Sequence, residues 1–550
     1  MTRTRAFSFL TAAVMMLSAT GCGGSKKPES QTNETSNKEI KVFSSLFATT
    51  GTPLDENNEI QQLIAEKTGA MCKETWLDER EDVNAVIGDM LVQNAYPDLM
   101  YPDAPNYQKL LDAGALVPID NYWDDYPYLR GFFSESEWNR IRAADGHVYC
   151  VPLFSSYYLQ DTNPNHTGEA FWIQLKVLKW AGYPKIVTMD DYFDLIERYL
   201  AENPTDENGE PNIGYEILAN DSMFFSLDNP PMFLDGYPND GCCIVDPVTH
   251  EAIDYNLSPT AEKWFRKLNE EYHKGIIDQS TFMMSSEQYY EKLKTGRVLG
   301  IVDQKWNFDS IDRELDPEDS YIPIGAVIKE GIEEHYHSVN EFNASTGAVI
   351  TKSCTDPEAA VKFLNDLLSP EILLLRFWGI EGVDYSVDKD GVFYITDEQR
   401  AAGAEPGYRE KHHCMYGYLP YYFGMAPDGI NAYCPAYQPD DYYSRLDPAI
   451  KECFDAYGAK TYVEMLNKAP ENTPWYPMWS FNNGLNDSTP AGQVMGQLDK
   501  LKHKYLPQVV MSDDFDATWA EYKEEYGKID SEVYFNALTD EVARRISLTK

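Results

Sequence analysis

Two kinds of residue cluster in this 550-residue chain could do chemistry: flat rings beside amides, and short runs of oxygen or imidazole donors. A Trp or Tyr face stacks on the apolar C–H face of a ring-shaped ligand, while Asp, Asn or Arg bonds hydroxyls at its rim. The segment 475–483 (WYPMWSFNN) sets Trp475 and Trp479 beside amides in a loop context, with a buried aromatic plug as the alternative. Tyr418, Tyr421 and Tyr422 form another ring cluster, of a kind found more often in cores than in sites. In 206–212 (DENGEPN), Asp206, Asn208 and Asn212 place oxygens at alternate positions around Gly209, which suits calcium. No acid follows at the later ligand positions, so a plain solvated turn is the stronger reading and no metal is assigned. His335 and His337 could hold zinc only on a strand with further ligands brought by folding, and His412 with His413 offers no more.

Catalytic signatures are missing. The chain has no G-x-S-x-G, H-E-x-x-H, P-loop or G-x-G-x-x-G pattern. A glycoside hydrolase needs only two carboxylates at a set separation, and 89 acidic residues leave that alternative open. The formal charge of −43 argues against nucleic acid and against adsorption to anionic lipid heads. With 43% hydrophobic and 13% aromatic residues the chain is no disordered protein. Its length predicts two to four domains. The composition describes an acidic multidomain binder or enzyme of neutral ligands.

The elements that must carry these residues begin after a leader. Arg3 and Arg5 precede an apolar run, 6–19, too short to span a bilayer and built like an export signal. It ends in Ala19-Thr20-Gly21-Cys22, which resembles the lipobox of bacterial lipoproteins, with Cys22 as the acylated residue. Residues 23–38 hold no large apolar side chain and read as a flexible tether. The other eight cysteines show no metal-type spacing, and no bridge is assigned. From residue 39 strands (39–47, 71–77, 97–101) alternate with helices (57–67, 80–94), which predicts a parallel sheet covered on both faces. Further helices are expected at 170–181, 189–201, 259–274, 287–294, 357–368, 490–505, 513–526 and 531–546.

Several segments, in order, resemble the family 1 extracellular solute-binding proteins of bacterial ABC importers, nearest to the long lipoprotein branch associated with oligosaccharide uptake. They are NAYPD (94–98), LLDAGALVPID (110–120), DGHVYCVP (145–152), the helix-like 171–182 followed by 189–196, EYHKGIID (271–278), GRVLGIVDQKW (296–306), 356–371 and WGIEGVDY (378–385). Beyond residue 397 recognisable marks thin out.

The resemblance implies a two-lobed α/β fold of the type II periplasmic-binding-protein kind, its lobes interleaved about a hinge, with extra helices near the C-terminus. Its expected parts are a signal peptide (1–21), tether (22–38), lobe one (39–155 with 322–380) and lobe two (156–321 with 381–550). It implies a monomer without cofactor, held at the outer face of the cell membrane by its lipid, passing a carbohydrate to ABC permease subunits. A surface glycan-binding lipoprotein or a glycosidase is the alternative. By the same resemblance Trp306 ends the strand that leads to the ligand-stacking loop, with Asp303 and Asn307 placed for hydroxyls. Asp103, Ser45 and Thr49 fall where lobe one faces the cleft, and Tyr157, in FSSYY (154–158), falls near a crossover. Arg297, Arg313 or Arg376 could offset a charged ligand.

Overall fold

Capping residues set the rhythm of the first hundred residues. Asn58 accepts a hydrogen bond from the Gln61 amide to open the helix Glu59–Thr68, and Gly69, at φ 78°, closes it. That left-handed turn suits glycine and strains other residues. Asp82 caps the next helix, Val83–Gln93, through the amides of Asn84 and Ala85. The computed structural model describes residues 40–78, 80–153, 163–220, 223–338, 345–470 and 473–549. None of the described helices is long and apolar enough to cross a membrane.

In chain order the strands are β1 (Lys41–Phe47), β2 (Ala70–Lys73), β3 (Leu99–Tyr101), β4 (Cys150–Val151), β5 (Glu169–Gln174) and β6 (Ile213–Glu216). Then come the hairpin β7 (Ile244–Val245) and β8 (Ala252–Ile253), β9 (Val298–Gln304), β10 (Tyr321–Ile324) and β11 (Ala348–Ile350), and a second hairpin, β12 (Ser386–Val387) and β13 (Phe393–Tyr394). One sheet runs β2-β1-β3-β11-β4 and the other β10-β5-β9-β6. In the first, β1 pairs in parallel with β2 and β3, as the strand–helix alternation predicts, and antiparallel β11 and β4 complete it. Phe43, Phe47, Leu99 and Ile350 pack into one core and Leu46, Met100 and Val349 into another. Successive side chains point to opposite faces of a sheet, so both faces are covered.

The second sheet corrects one element. Residues 170–181 read as helix, yet Glu169–Gln174 is a strand and only Leu175–Trp180 is helical. Every residue of β5 is buried. A strand covered on both faces shows a continuous apolar run rather than alternation, and such a run cannot be told from a buried helix by period.

The lobes also divide elsewhere than expected. Strand β10, placed with lobe one, pairs antiparallel with β5. Ile322, Ile324 and Tyr336 pack with Phe171 and Ile301 in the core around the second sheet, hereafter the second core, that of Phe43 and Phe47 being the first. Tyr416, Leu419, Tyr422 and Tyr433, placed with lobe two, pack in the first core. Arg376 accounts for the latter. Its buried guanidinium donates to the carbonyls of Met415 (2.9 Å), Tyr416 (3.1 Å), Leu419 (3.3 Å), Pro420 (2.6 Å) and Leu367 (3.0 Å), tying 415–420 to the helix Pro370–Phe377. Among the described residues the chain thus passes between these two cores three times: between Val151 and Ala170, between Tyr336 and Ala348, and between Tyr433 and Cys453. The helices Pro490–Met511, Phe515–Tyr526 and Glu532–Ser547 pack on the second core through Leu506, Trp519 and Leu538. All eight cysteines among the described residues are free thiols.

Candidate functional site

Strand register shows which edge of each sheet meets the crossovers. In the first sheet Phe47 pairs with Tyr101, Met100 with Val349, and Val151 with Ala348. The carboxyl ends of β1, β3 and β4 and the amino end of β11 therefore share one edge. In the second sheet Glu169 pairs with Gln304, Phe171 with Ile324, and Ile301 with Glu216. There the amino end of β5 meets the carboxyl ends of β6, β9 and β10. Both edges border the passages between lobes, and ligands of open α/β sheets bind outside the carboxyl ends of strands.

At the lobe-one edge four rings gather. Tyr418 stacks on Phe47 (centroids 5.6 Å) and meets Trp76 (5.3 Å) and Tyr101 (5.2 Å) edge-on. The Phe47 amide donates to the Thr75 carbonyl (3.0 Å) and the Leu77 amide to the Thr49 carbonyl (3.1 Å), which lays 74–77 beside the end of β1. Gly51 lies against the indole face so closely that a Cβ there would sit 2.2 Å from Trp76. Trp76, Tyr101 and Tyr418 are each half-buried. Trp76 Nε1 and Glu74 Oε1 are buried without a hydrogen-bond partner in the described structure. Burial pushes the Glu74 carboxyl up to about 7, and the Arg376 guanidinium offsets part of that. No motif marks Glu74 or Trp76, and Tyr418, with Tyr421 and Tyr422, reads from the sequence as core more often than as site.

The residues expected on this edge act more modestly. Ser45 is buried and donates to the Lys73 carbonyl (3.1 Å). Asp103 caps the helix Ala104–Asp112 through the Asn106 amide (3.0 Å). Thr49 sits half-buried just beyond β1. Tyr157 and Cys22 lie outside the described residues.

At the lobe-two edge Trp306 is 56% exposed, directly after β9 in the first turn of the helix Lys305–Asp312. Its Nε1 donates to the Gln304 side-chain oxygen, and the Phe225 ring stands 6.4 Å away. Asp303 and Asn307 bond inward instead. Asp303 is fully buried and accepts from the Tyr289 hydroxyl (2.9 Å), Asn307 Nδ2 (2.9 Å) and the Gln304 amide (2.7 Å). Asn307 Oδ1 accepts from the Tyr290 hydroxyl (2.6 Å). Burial drives the Asp303 carboxyl up to about 7 despite these donors. Burial along β9 explains the difference: the strand is covered on both faces through Asp303, whereas Trp306 follows where strand turns to helix. Beside them Glu169, also buried and raised by burial, accepts from Asn229 Nδ2 (3.0 Å) and Asn239 Nδ2 (2.8 Å).

The 475–483 loop is held from behind. Arg545 donates to the carbonyls of Trp475 (2.7 Å) and Pro477 (2.6 Å) and to Ser480 Oγ (3.0 Å), with Glu541 as its counter-ion. Trp475 is 8% exposed and packs 5.1 Å from His250, but one side of it lines a cavity of about 240 Å³ together with Tyr237, Ile244, Val245 and His335. Trp479 is half-buried. Arg140, on the lobe-one helix Glu135–Ile141, donates to the Tyr476 carbonyl at 3.4 Å, so this loop also touches the other lobe.

Elsewhere the other candidates are engaged locally. Asp206 Oδ1 accepts the amides of Asn208 (2.9 Å) and Glu210 (2.8 Å), and Asn212 Nδ2 donates to the Asn203 carbonyl (3.0 Å). His335 bonds the Gly236 carbonyl, and His337 meets the His166 ring edge-on. Arg297 donates to the Pro211 carbonyl, Arg313 pairs with Asp309, and Arg376 is spent on carbonyls, so the expected charge-offsetting cations are occupied.

Residues 79–380 match the family of bacterial extracellular solute-binding proteins. The chain belongs to that family. No curated protein matches the sequence. Solved structures share the fold of this solute-binding protein over nearly their whole length. An ABC-transporter substrate-binding protein of Streptococcus pneumoniae, an EF-hand mutant in complex with fructo-nystose, is 15% identical at TM-score 0.61, covering 92% of this chain and 100% of its own. An HMO-binding, ABC-transporter-associated protein from Bifidobacterium longum infantis is 15% identical at TM-score 0.60, covering 91% and 98%. An alginate-binding protein without calcium ion is 15% identical at TM-score 0.57, covering 92% and 98%. A ligand held by groups on both edges would favour the closed state by the difference in its affinity for the open and closed forms.

Proposed function

We propose that this protein captures an extracellular carbohydrate, an oligosaccharide in particular, between the two lobes and delivers it to the permease of an ABC importer. It would do so from the outer face of the membrane, held by a lipid on Cys22. The observation that carries the reading is the pair of ring platforms on the crossover edges: Trp76, Tyr101 and Tyr418 on one lobe and exposed Trp306 on the other. Flat rings suit the C–H faces of pyranoses, and stacked aromatic contacts are worth about 0.5–1.5 kcal/mol each beyond buried area. The similarity to oligosaccharide-binding structures supports the same reading, and capture and release require no covalent chemistry.

A thermal-shift panel of oligosaccharides, peptides and polyamines tests it. Ligand that binds only the folded state raises the midpoint by mass action, about 2.7 kcal/mol of stabilisation at a hundred times Kd. A rise with one glycan class and no release of shortened product is the expected result. A rise with peptides or amines alone overturns the carbohydrate reading, and release of cleaved glycan overturns the binding-only role.

A further inference from the structure

The cavity beside Trp475 presents a polar set that names a substituent. Its lining includes the aliphatic Ile244 and Val245 and the polar His335, Ser338 and Thr473. His335 Nδ1 lies 2.5 Å from the Gly236 carbonyl oxygen. A carbonyl only accepts, so Nδ1 carries the proton and, in the neutral ring, Nε2 presents a lone pair. The hydroxyls of Ser338 and Thr473 can donate or accept. The carboxylate in the wall, Asp240, disfavours an anion. The volume of about 240 Å³ exceeds the roughly 150 Å³ of a dry cavity that admits benzene.

We propose that this cavity seats the acetamido group of a neutral, N-acetylated sugar, an inference that rests on the carbohydrate reading. The amide N–H donates to His335 Nε2, the carbonyl accepts from Ser338 or Thr473, and the methyl packs on Ile244 and Val245. A bare hydroxyl at the same ring position leaves the aliphatic wall against a polar group and forfeits the methyl's burial. A uronate meets Asp240 with like charge.

Calorimetric titration of the full chain with matched pairs of neutral oligosaccharides, equal in length and linkage and differing in acetamido against hydroxyl, tests the inference. The panel spans chito- against cello-oligosaccharides and the corresponding β1,3-linked pairs. The N-acetylated member binds roughly tenfold tighter or more, one hydrogen bond plus one methyl. In His335→Asn the amide nitrogen keeps the bond to Gly236 while the Nε2 lone pair is gone, and the preference falls to a fewfold with an unchanged melting midpoint. Equal or tighter binding of the hydroxyl members overturns the inference and leaves the carbohydrate reading standing. Retention of the full preference in His335→Asn overturns the placement. Absence of binding across the whole glycan panel overturns the carbohydrate reading itself and the inference with it.

Discussion

Glu74 on lobe one and Asp303 on lobe two are both carboxyls pushed up to about 7 by burial, and both stand at the crossover edge of their sheet. They differ in what surrounds them. Asp303 has three donors from Tyr289, Asn307 and the Gln304 amide, and it is sealed from solvent. Among the described residues one Glu74 oxygen and the indole nitrogen of Trp76, two residues on, have no hydrogen-bond partner, and both side chains are half-buried. A saturated buried acid braces a strand end. An unsaturated one at a cleft rim carries a desolvation cost that a ligand hydroxyl would relieve. The same shift in acidity thus accompanies a saturated carboxyl in one lobe and an unsaturated one in the other.

The largest effect expected is on the lobe-one scaffold. Arg376→Met strands five buried carbonyls and frees the 415–420 segment that carries Tyr418. Chemical denaturation should register a loss of more than about 3 kcal/mol. A loss within about 0.5 kcal/mol would show that Tyr418 is positioned by something else.

Next comes the pH dependence that Asp303 imposes. Its folded value of about 7 lies above the ordinary carboxyl range. The native state therefore holds a proton that the unfolded chain has released, and stability falls as pH rises from about 4 to about 7. The slope contributed by one such group is at most about 1.4 kcal/mol per pH unit. Asp303→Asn should flatten the stability–pH curve over that window and leave ligand affinity nearly unchanged. A large affinity loss with unaltered pH dependence would move Asp303 into the binding site.

Glu74 should behave in the opposite way. In Glu74→Gln, ligand affinity loses its pH dependence around pH 7 and weakens by roughly 1 kcal/mol, near the worth of one hydrogen bond, as titrations at pH 6 and 8 would report. Affinity that still varies with pH to the full extent would remove Glu74 from the site.

Legibility followed locality. The stop at Gly69 is a short-range signal, so the β1–β3 alternation could be read from the chain, although the first helix is capped by Asn58 rather than Asn57 and the second by Asp82 rather than starting at Arg80. Strand β5 could not, because EAFWIQ is buried on both faces and lacks a period. Trp306 stood out because it follows directly on a strand in a segment resembling the family's ligand-stacking loop. Asp303, three residues earlier, is enclosed because β9 lies between β5 and β6 and is covered on both faces, which only the long-range strand pairing reveals. Glu74 and Trp76 acquire their place from the parallel pairing of β1 with β2, and Tyr418 from Arg376, contacts between residues far apart in sequence. The lobe boundaries depended on the same long-range pairings, β10 with β5 above all.

The central claim is that both lobes hold one ligand through aromatic faces. Calorimetric titration of Trp76→Ala and Trp306→Ala with the glycan that gives the largest thermal shift tests it most directly. Both variants should lose about tenfold or more in affinity, roughly 1.4 kcal/mol or more apiece, and Trp306→Ala should keep its stability because that ring is mostly exposed. Full affinity in either variant would contradict a site built from the two edges together.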